Sequence, residues 1–155
     1  MSIITDDVGD YLSNVRIPIR LACNTAEGWP IVISLWYLYE GGELYCATQE
    51  SARVVSYLRE NPQCGFEVAA DTPPYCGVRG QGIARLDTDL GLDVLKRLLT
   101  RYLGSTDSPL ARKLLNRQTA EVALIIKPVR LLTWNFSNRM KGSVDQTADE
   151  KPCPD

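Results

Sequence analysis

The chain has 155 residues, 45% hydrophobic and 23% charged, with a formal net charge of -2. One domain with a real core fits this length, and the charge supplies no general attraction to nucleic acid or acidic lipid. The longest apolar run, Val122 to Ile126, is too short to cross a bilayer, and the acidic stretch Thr5-Asp6-Asp7 lies where a signal peptide would be basic. We therefore expect a cytoplasmic protein that binds neither nucleic acid nor membrane.

Residues Asp6 to Val15 can form one or two helical turns, with Val8, Tyr11, Leu12 and Val15 inward to cover a barrel end. Ile17, Ile19, Leu21 and Cys23 then alternate with Pro18, Arg20, Ala22 and Asn24, a strand closed by the turn Thr25-Ala26-Glu27-Gly28. A longer strand is predicted from Pro30 to Tyr39. Ile31, Ile33, Leu35, Tyr37 and Tyr39 share one face and Val32, Ser34, Trp36 and Leu38 the other, so both faces are expected to be covered. Glu40-Gly41-Gly42-Glu43 is a hairpin turn into the strand Leu44 to Ala47.

The stretch Glu43 to Pro62 organises the rest. Its strand ends in a polar elbow, Thr48-Gln49-Glu50-Ser51, followed by a helix from about Ala52 to Glu60. Two readings of that elbow are open. Thr48 or Ser51 can cap the helix, or the hydroxyls and Arg53 can join the free helical N–H groups in seating a phosphate.

Cys64 to Ala70 is another alternating strand, and Tyr75 to Leu86 is the longest strand candidate. Its Gly77, Gly80 and Gly82 point to a bulge or sharp bend, or to close approach of a ligand or second chain. Leu92, Val94, Leu95, Leu98, Leu99 and Tyr102 recur at helical spacing before Gly104, and Ser108-Pro109 opens a second helix through about Asn116. Glu121 to Lys127 reads as a strand stopped by Pro128, with a further short strand from Leu131 to Phe136. Residues 1–141 make one domain and residues 142–155 a flexible tail.

Five cysteines at irregular spacing give no disulfide framework; Cys23, Cys46 and Cys64 fall in apolar strand patterns, Cys76 in a partly exposed strand and Cys153 in the tail. Histidine is absent, which removes His-based triads and makes the common zinc sites and the usual proximal haem ligand improbable. Any reaction is then expected to borrow its reactive group from a cofactor.

The predicted architecture is mainly β with peripheral helices: six or seven antiparallel strands in a small, nearly closed barrel. Three segments in this order, LACNTAEGWPIVISLWYLYEGGELYCATQESARVVSYLRENP, YCGVRGQGIARL and LLTWNFSNRM, resemble the FMN-binding split-barrel superfamily, which includes the pyridoxamine 5′-phosphate oxidase-like proteins and deazaflavin-dependent reductases. The resemblance spans roughly residues 17–140 and implies a six- to seven-stranded split β-barrel. It implies that Thr48, Ser51 and Arg53 hold the FMN phosphate and that Ile33, Ser34, Leu35 and Trp36 run along the isoalloxazine. Arg79 and Gln81 are further phosphate or ring candidates. Trp134 either stacks near the flavin from a partner subunit or is a core aromatic, and Arg139 either follows it or forms a surface salt bridge. The implied function is that of an FMN-dependent oxidoreductase, a homodimer acting on a small-molecule substrate. A deazaflavin cofactor or a non-catalytic flavin- or haem-binding role are the alternatives, haem being disfavoured by the missing histidine.

The chain also departs from the true oxidase. Ile31 and Trp36 stand where that enzyme has Arg and Lys, and its C-terminal Arg and His motifs are missing, so pyridoxamine phosphate oxidation is not expected.

Overall fold

Four helices and seven strands follow one another in the computed structural model, which describes residues 3–142, 153 and 154. They are α1 (Asp6–Asn14), β1 (Ile19–Asn24), β2 (Pro30–Leu35), β3 (Leu38–Glu40), β4 (Glu43–Gln49), α2 (Arg53–Glu60), β5 (Gln63–Ala69), β6 (Cys76–Asp87), α3 (Gly91–Leu103), α4 (Pro109–Leu115) and β7 (Glu121–Asn135). All strand pairs are antiparallel, in the order β2-β1-β5-β6-β7-β4-β3.

That order closes the barrel. β2 and β3 are the two edges of the sheet, yet only Trp36 and Tyr37 separate them along the chain. The three peptide steps from Leu35 to Leu38 reach at most about 11 Å. The sheet must therefore roll until its edges meet, leaving a seam between β2 and β3. The expected single strand from Pro30 to Tyr39 is thus two strands on opposite sides of this seam. Its alternation survives the break: Tyr37 is fully buried in the core and its hydroxyl donates to the Leu12 carbonyl at 2.8 Å. Trp36 turns the other way and stacks on Tyr102, centroids 5.1 Å apart.

The last strand corrects the sequence in the opposite sense. Pro128 does not end it; β7 runs through, with Gly82 facing Pro128 and Gln81 facing Arg130, so that Val129 is an extra residue at a bulge. A proline, which has no N–H to give the ladder, is tolerated where the register already shifts. Gly80 and Gly82 of β6 lie at that bend. A Cβ on Gly80 would meet the Arg130 carbonyl and lie 2.7 Å from the Phe66 ring, and one on Gly82 would lie 2.8 Å from Ile126.

β7 is buried on both faces at its start, which accounts for the unbroken apolar run there. Val122, Leu124 and Ile126 face the barrel core, while Ala123 and Ile125 lie under Val94 and Leu98 of α3. Gly104 ends α3 in the left-handed conformation, φ 78°, and Ser108 caps α4 by accepting from the Ala111 N–H at 3.1 Å. α1 runs nine residues, longer than the turn or two expected, and packs Val8, Tyr11 and Leu12 into the core, where the Tyr11 hydroxyl donates to the Val68 carbonyl.

Two further expectations fail. Val32 is 66% exposed and Leu132 56%, so the outer sheet face that carries them is uncovered in the single chain. Cys76 is buried and forms a disulfide with Cys153, 77 residues away, where no disulfide was expected. Apart from Gly142, Cys153 and Pro154, the predicted flexible tail lies outside the described residues.

Candidate functional site

β2, β4, α3, α4 and the start of β7 converge on a groove of about 380 Å³ beside the elbow. Leu35, Trp36, Leu95, Leu98 and Leu114 provide its apolar wall. Ser34, Thr48, Arg117 and Glu121 supply its polar groups. The β4–β7 ladder brings Glu121 to the elbow, since Thr48 faces Val122 and Gln49 faces Glu121, and Arg117 lies in the segment just before that strand. Arg117 Nε and Nη1 lie 3.1 and 2.7 Å from the terminal amide of Gln49, whose oxygen accepts from both in one of the amide's two orientations. In the other orientation one oxygen of Glu121, Oε1, is buried and accepts no hydrogen bond. Burial raises the Glu121 pKa, and the Arg117 charge pulls it back in part.

The uncovered face of the sheet carries a second, wider groove of about 720 Å³. Its polar lining is Arg20, Glu67, Arg79, Gln81 and Arg130, beside Val32 and Leu132. Alternation along each strand explains the set: Ser34 faces Arg20, Arg20 faces Glu67, Glu67 faces Arg79 and Arg79 faces Leu132, a single row across five strands. Three guanidinium groups against one carboxylate make this groove basic. Arg79 also lies over the Trp134 ring, 4.8 Å from its centroid, within cation–π range. Ser34 joins the two grooves, because it lines the first and its hydroxyl accepts from Arg20 Nη1 of the second at 3.1 Å.

The structure thus brings Ser34, Leu35, Trp36 and Thr48 together in the elbow groove, and Arg79, Gln81 and Trp134 on the sheet face. Ile33 points the other way and packs against the barrel core. Arg139 sits over Phe136, at 5.3 Å. Ser51 and Arg53 line neither groove. The capping reading of the elbow fails, because Ala52 is the N-cap of α2 and no side chain caps that helix. Among the described residues no carboxylate pairs with the Arg53 guanidinium.

Sequence reasoning missed Arg20, Arg117, Glu121 and Arg130. For Arg20 a signal existed, since it alternates with the inward Ile19 and Leu21. Arg117 and Glu121 had none, because only the long-range ladder carries them to Thr48. The free thiols of Cys23, Cys46 and Cys64 are buried in the barrel, and burial pushes their pKa values up, to about 12 for Cys64. They behave as the small hydrophobes expected.

No protein-family model and no curated protein matches the chain. Solved structures do. A conserved hypothetical protein from Mycobacterium tuberculosis is similar over 96% of this chain and 95% of its own, with TM-score 0.72 and 20% identity. An F420 reductase matches 83% of this chain and 98% of its own, TM-score 0.68 and 19% identity. A putative pyridoxamine 5′-phosphate oxidase from Listeria innocua matches 83% and 95%, TM-score 0.63 and 18% identity. The chain has the split-barrel fold of these proteins, a seven-stranded antiparallel sheet with four helices.

Proposed function

We propose that the chain is a flavin-type cofactor-binding protein that works as a homodimer, holding FMN between two barrels and exchanging a hydride or electrons with a small organic substrate. The observation that carries this reading is the junction at Ser34, where an apolar-walled groove with hydroxyls and Arg117 meets a basic sheet face whose Val32 and Leu132 lack cover. A planar ring needs an apolar wall, and a phosphate needs charge-assisted donors. Leu35, Trp36 and Leu98 suit the first; Thr48, Ser51 and Arg53 at the elbow suit the second. The flavin would supply the redox chemistry, while this chain binds, orients and excludes water. A second subunit over Val32 and Leu132 would close the open side.

Deazaflavin is the second reading, and the wide groove with Arg20, Arg79 and Arg130 favours it, because an acidic extension of the cofactor would find cations there. The haem-binding alternative is weakened by the burial of all three free thiols, which removes them as ligands at the surface. A cytoplasmic location goes with both flavin readings, although a reducing compartment would tend to open the Cys76–Cys153 bond.

The test is the absorbance spectrum of the purified protein with mass identification of the bound cofactor, followed by titration with FMN and with a deazaflavin. Tight binding of one of them is expected, with affinity falling in Arg53→Ala and Thr48→Ala and a dimer in sedimentation. A monomer that binds neither refutes the proposal. Unchanged affinity in Arg53→Ala removes that residue from the phosphate role.

A further inference from the structure

Packing accounts for small apolar side chains in the barrel wall, but not for two thiols set opposite each other. Cys23 stands in β1 and Cys64 in β5, both in the barrel core and both free. The β1–β5 ladder pairs Leu21 with Phe66 and Ala22 with Gly65, so its next step sets Cys23 against Cys64. Their backbones face away from each other. The Thr25 N–H donates to the Trp29 carbonyl, and alternation from that bond directs the peptide groups of Cys23 toward β2. The Ala84 N–H donates to the Pro62 carbonyl, and the same alternation directs those of Cys64 toward β6. The two cysteines are therefore a non-hydrogen-bonded pair, the kind in which opposite side chains come closest and Cα atoms stand about 4.5 Å apart. Disulfides span Cα separations of roughly 4.4–6.8 Å.

We propose that Cys23 and Cys64 form an oxidation site, a dithiol that hydrogen peroxide closes to a cross-strand disulfide. One sulfur attacks the peroxide, the O–O bond breaks, and a sulfenic acid forms as the first water leaves. The other sulfur then displaces the hydroxyl as a second water, so two S–H bonds give way to one S–S bond and the peroxide takes up two electrons and two protons. Both cysteines line a groove of about 370 Å³ that opens where the ladder ends, a path for so small an oxidant to the gap between the strands. Cys46, the third free thiol, is 0% exposed, against 4% for Cys23 and 7% for Cys64, and its strand β4 adjoins neither β1 nor β5. Register gives it no partner. Burial raises the pKa of both paired thiols, to about 12 for Cys64, and the Cys64 thiol donates to the Gly82 carbonyl at 3.5 Å. Thiolate is scarce there, so closure is slow. The new bond would lie beneath Ala22 and Gly65, which line both this groove and the wide basic one, and would lock β1 to β5 under their common floor. None of this depends on which cofactor the chain binds.

The test exposes the folded protein, as purified, to excess hydrogen peroxide at neutral pH for several hours. Catalase then removes the oxidant, free thiols are alkylated in denaturant without reductant, and the digest is mapped by mass. A peptide pair linked through Cys23 and Cys64 is expected, with Cys46 alkylated. Cys46→Ser should form the same link, and Cys23→Ser should lose it and leave Cys64 as a thiol or a sulfinic acid. Thiols unchanged in the folded chain, sulfinic acids without a link, or a link from either residue to any other cysteine overturns the proposal. Near-ultraviolet circular dichroism is followed through the exposure, and a link that forms only as the native signal is lost overturns it as well. If Cys23→Ser fails to fold, the wild-type map decides alone.

Discussion

Arg101 lies over the ring of Tyr37, 5.6 Å from its centroid, while its guanidinium donates to the carbonyls of Leu12, Ser13 and Val15 at 3.2, 2.7 and 2.6 Å. One side chain of α3 therefore holds the end of α1 and the residue that crosses the barrel seam. These carbonyls are the unpaired acceptors a helix leaves at its C-terminus, and a cation suits them. Replacing Arg101 by Met should cost about 2–4 kcal/mol in chemical denaturation, with Arg101→Lys intermediate because a point charge cannot reach all three carbonyls. A loss below the error of the measurement would show that the seam holds without this clamp.

Gly80 distinguishes a bend in β6 from a site kept open for a ligand. A Cβ there would press on the Arg130 carbonyl and the Phe66 ring. Gly80→Ala should destabilise the unliganded protein by about 1–3 kcal/mol, the usual range for overpacking. Unchanged unfolding with weakened ligand binding would favour the ligand reading.

The Cys76–Cys153 bond makes a prediction by counting. Alkylation in denaturant without reductant should label three cysteines, and after reduction five. Because the bond closes a 77-residue loop, Cys153→Ser should cost up to about 4 kcal/mol by loop entropy. Five labelled thiols in the protein as purified would contradict the bond.

Glu121 gives stability a pH dependence with a definite sign. Its pKa is raised in the folded chain, chiefly by burial, from an ordinary 4.5. The folded state therefore holds this proton more tightly than the unfolded one. The resulting stabilisation is full below about pH 4.5 and is lost as pH rises through the folded value. Glu121→Gln should flatten that decline in urea midpoints measured across this window, and an identical slope in both proteins would show that other groups produce it.

Much of this was legible in the amino-acid order because it rests on local rules. Alternation located β1 and β5, and the Gly41-Gly42 hairpin turn located β4; the helical spacing of Val94, Leu98 and Tyr102 located α3; and Gly104 and Ser108 marked an end and a start through conformations set by their own neighbours. That Ser34, Leu35, Trp36 and Thr48 share one site was implied by the resemblance to the split-barrel superfamily and not by any local pattern. Other features were decided only by the tertiary structure. The break at Trp36-Tyr37 exists because the sheet must close on itself, and Pro128 is tolerated because β7 bulges beside it at Val129. The union of Cys76 with Cys153 and of Thr48 with Arg117 and Glu121 depends on contacts between residues about 70 or more apart. Such contacts obey the geometry of the closed barrel, and no periodicity along the chain records it.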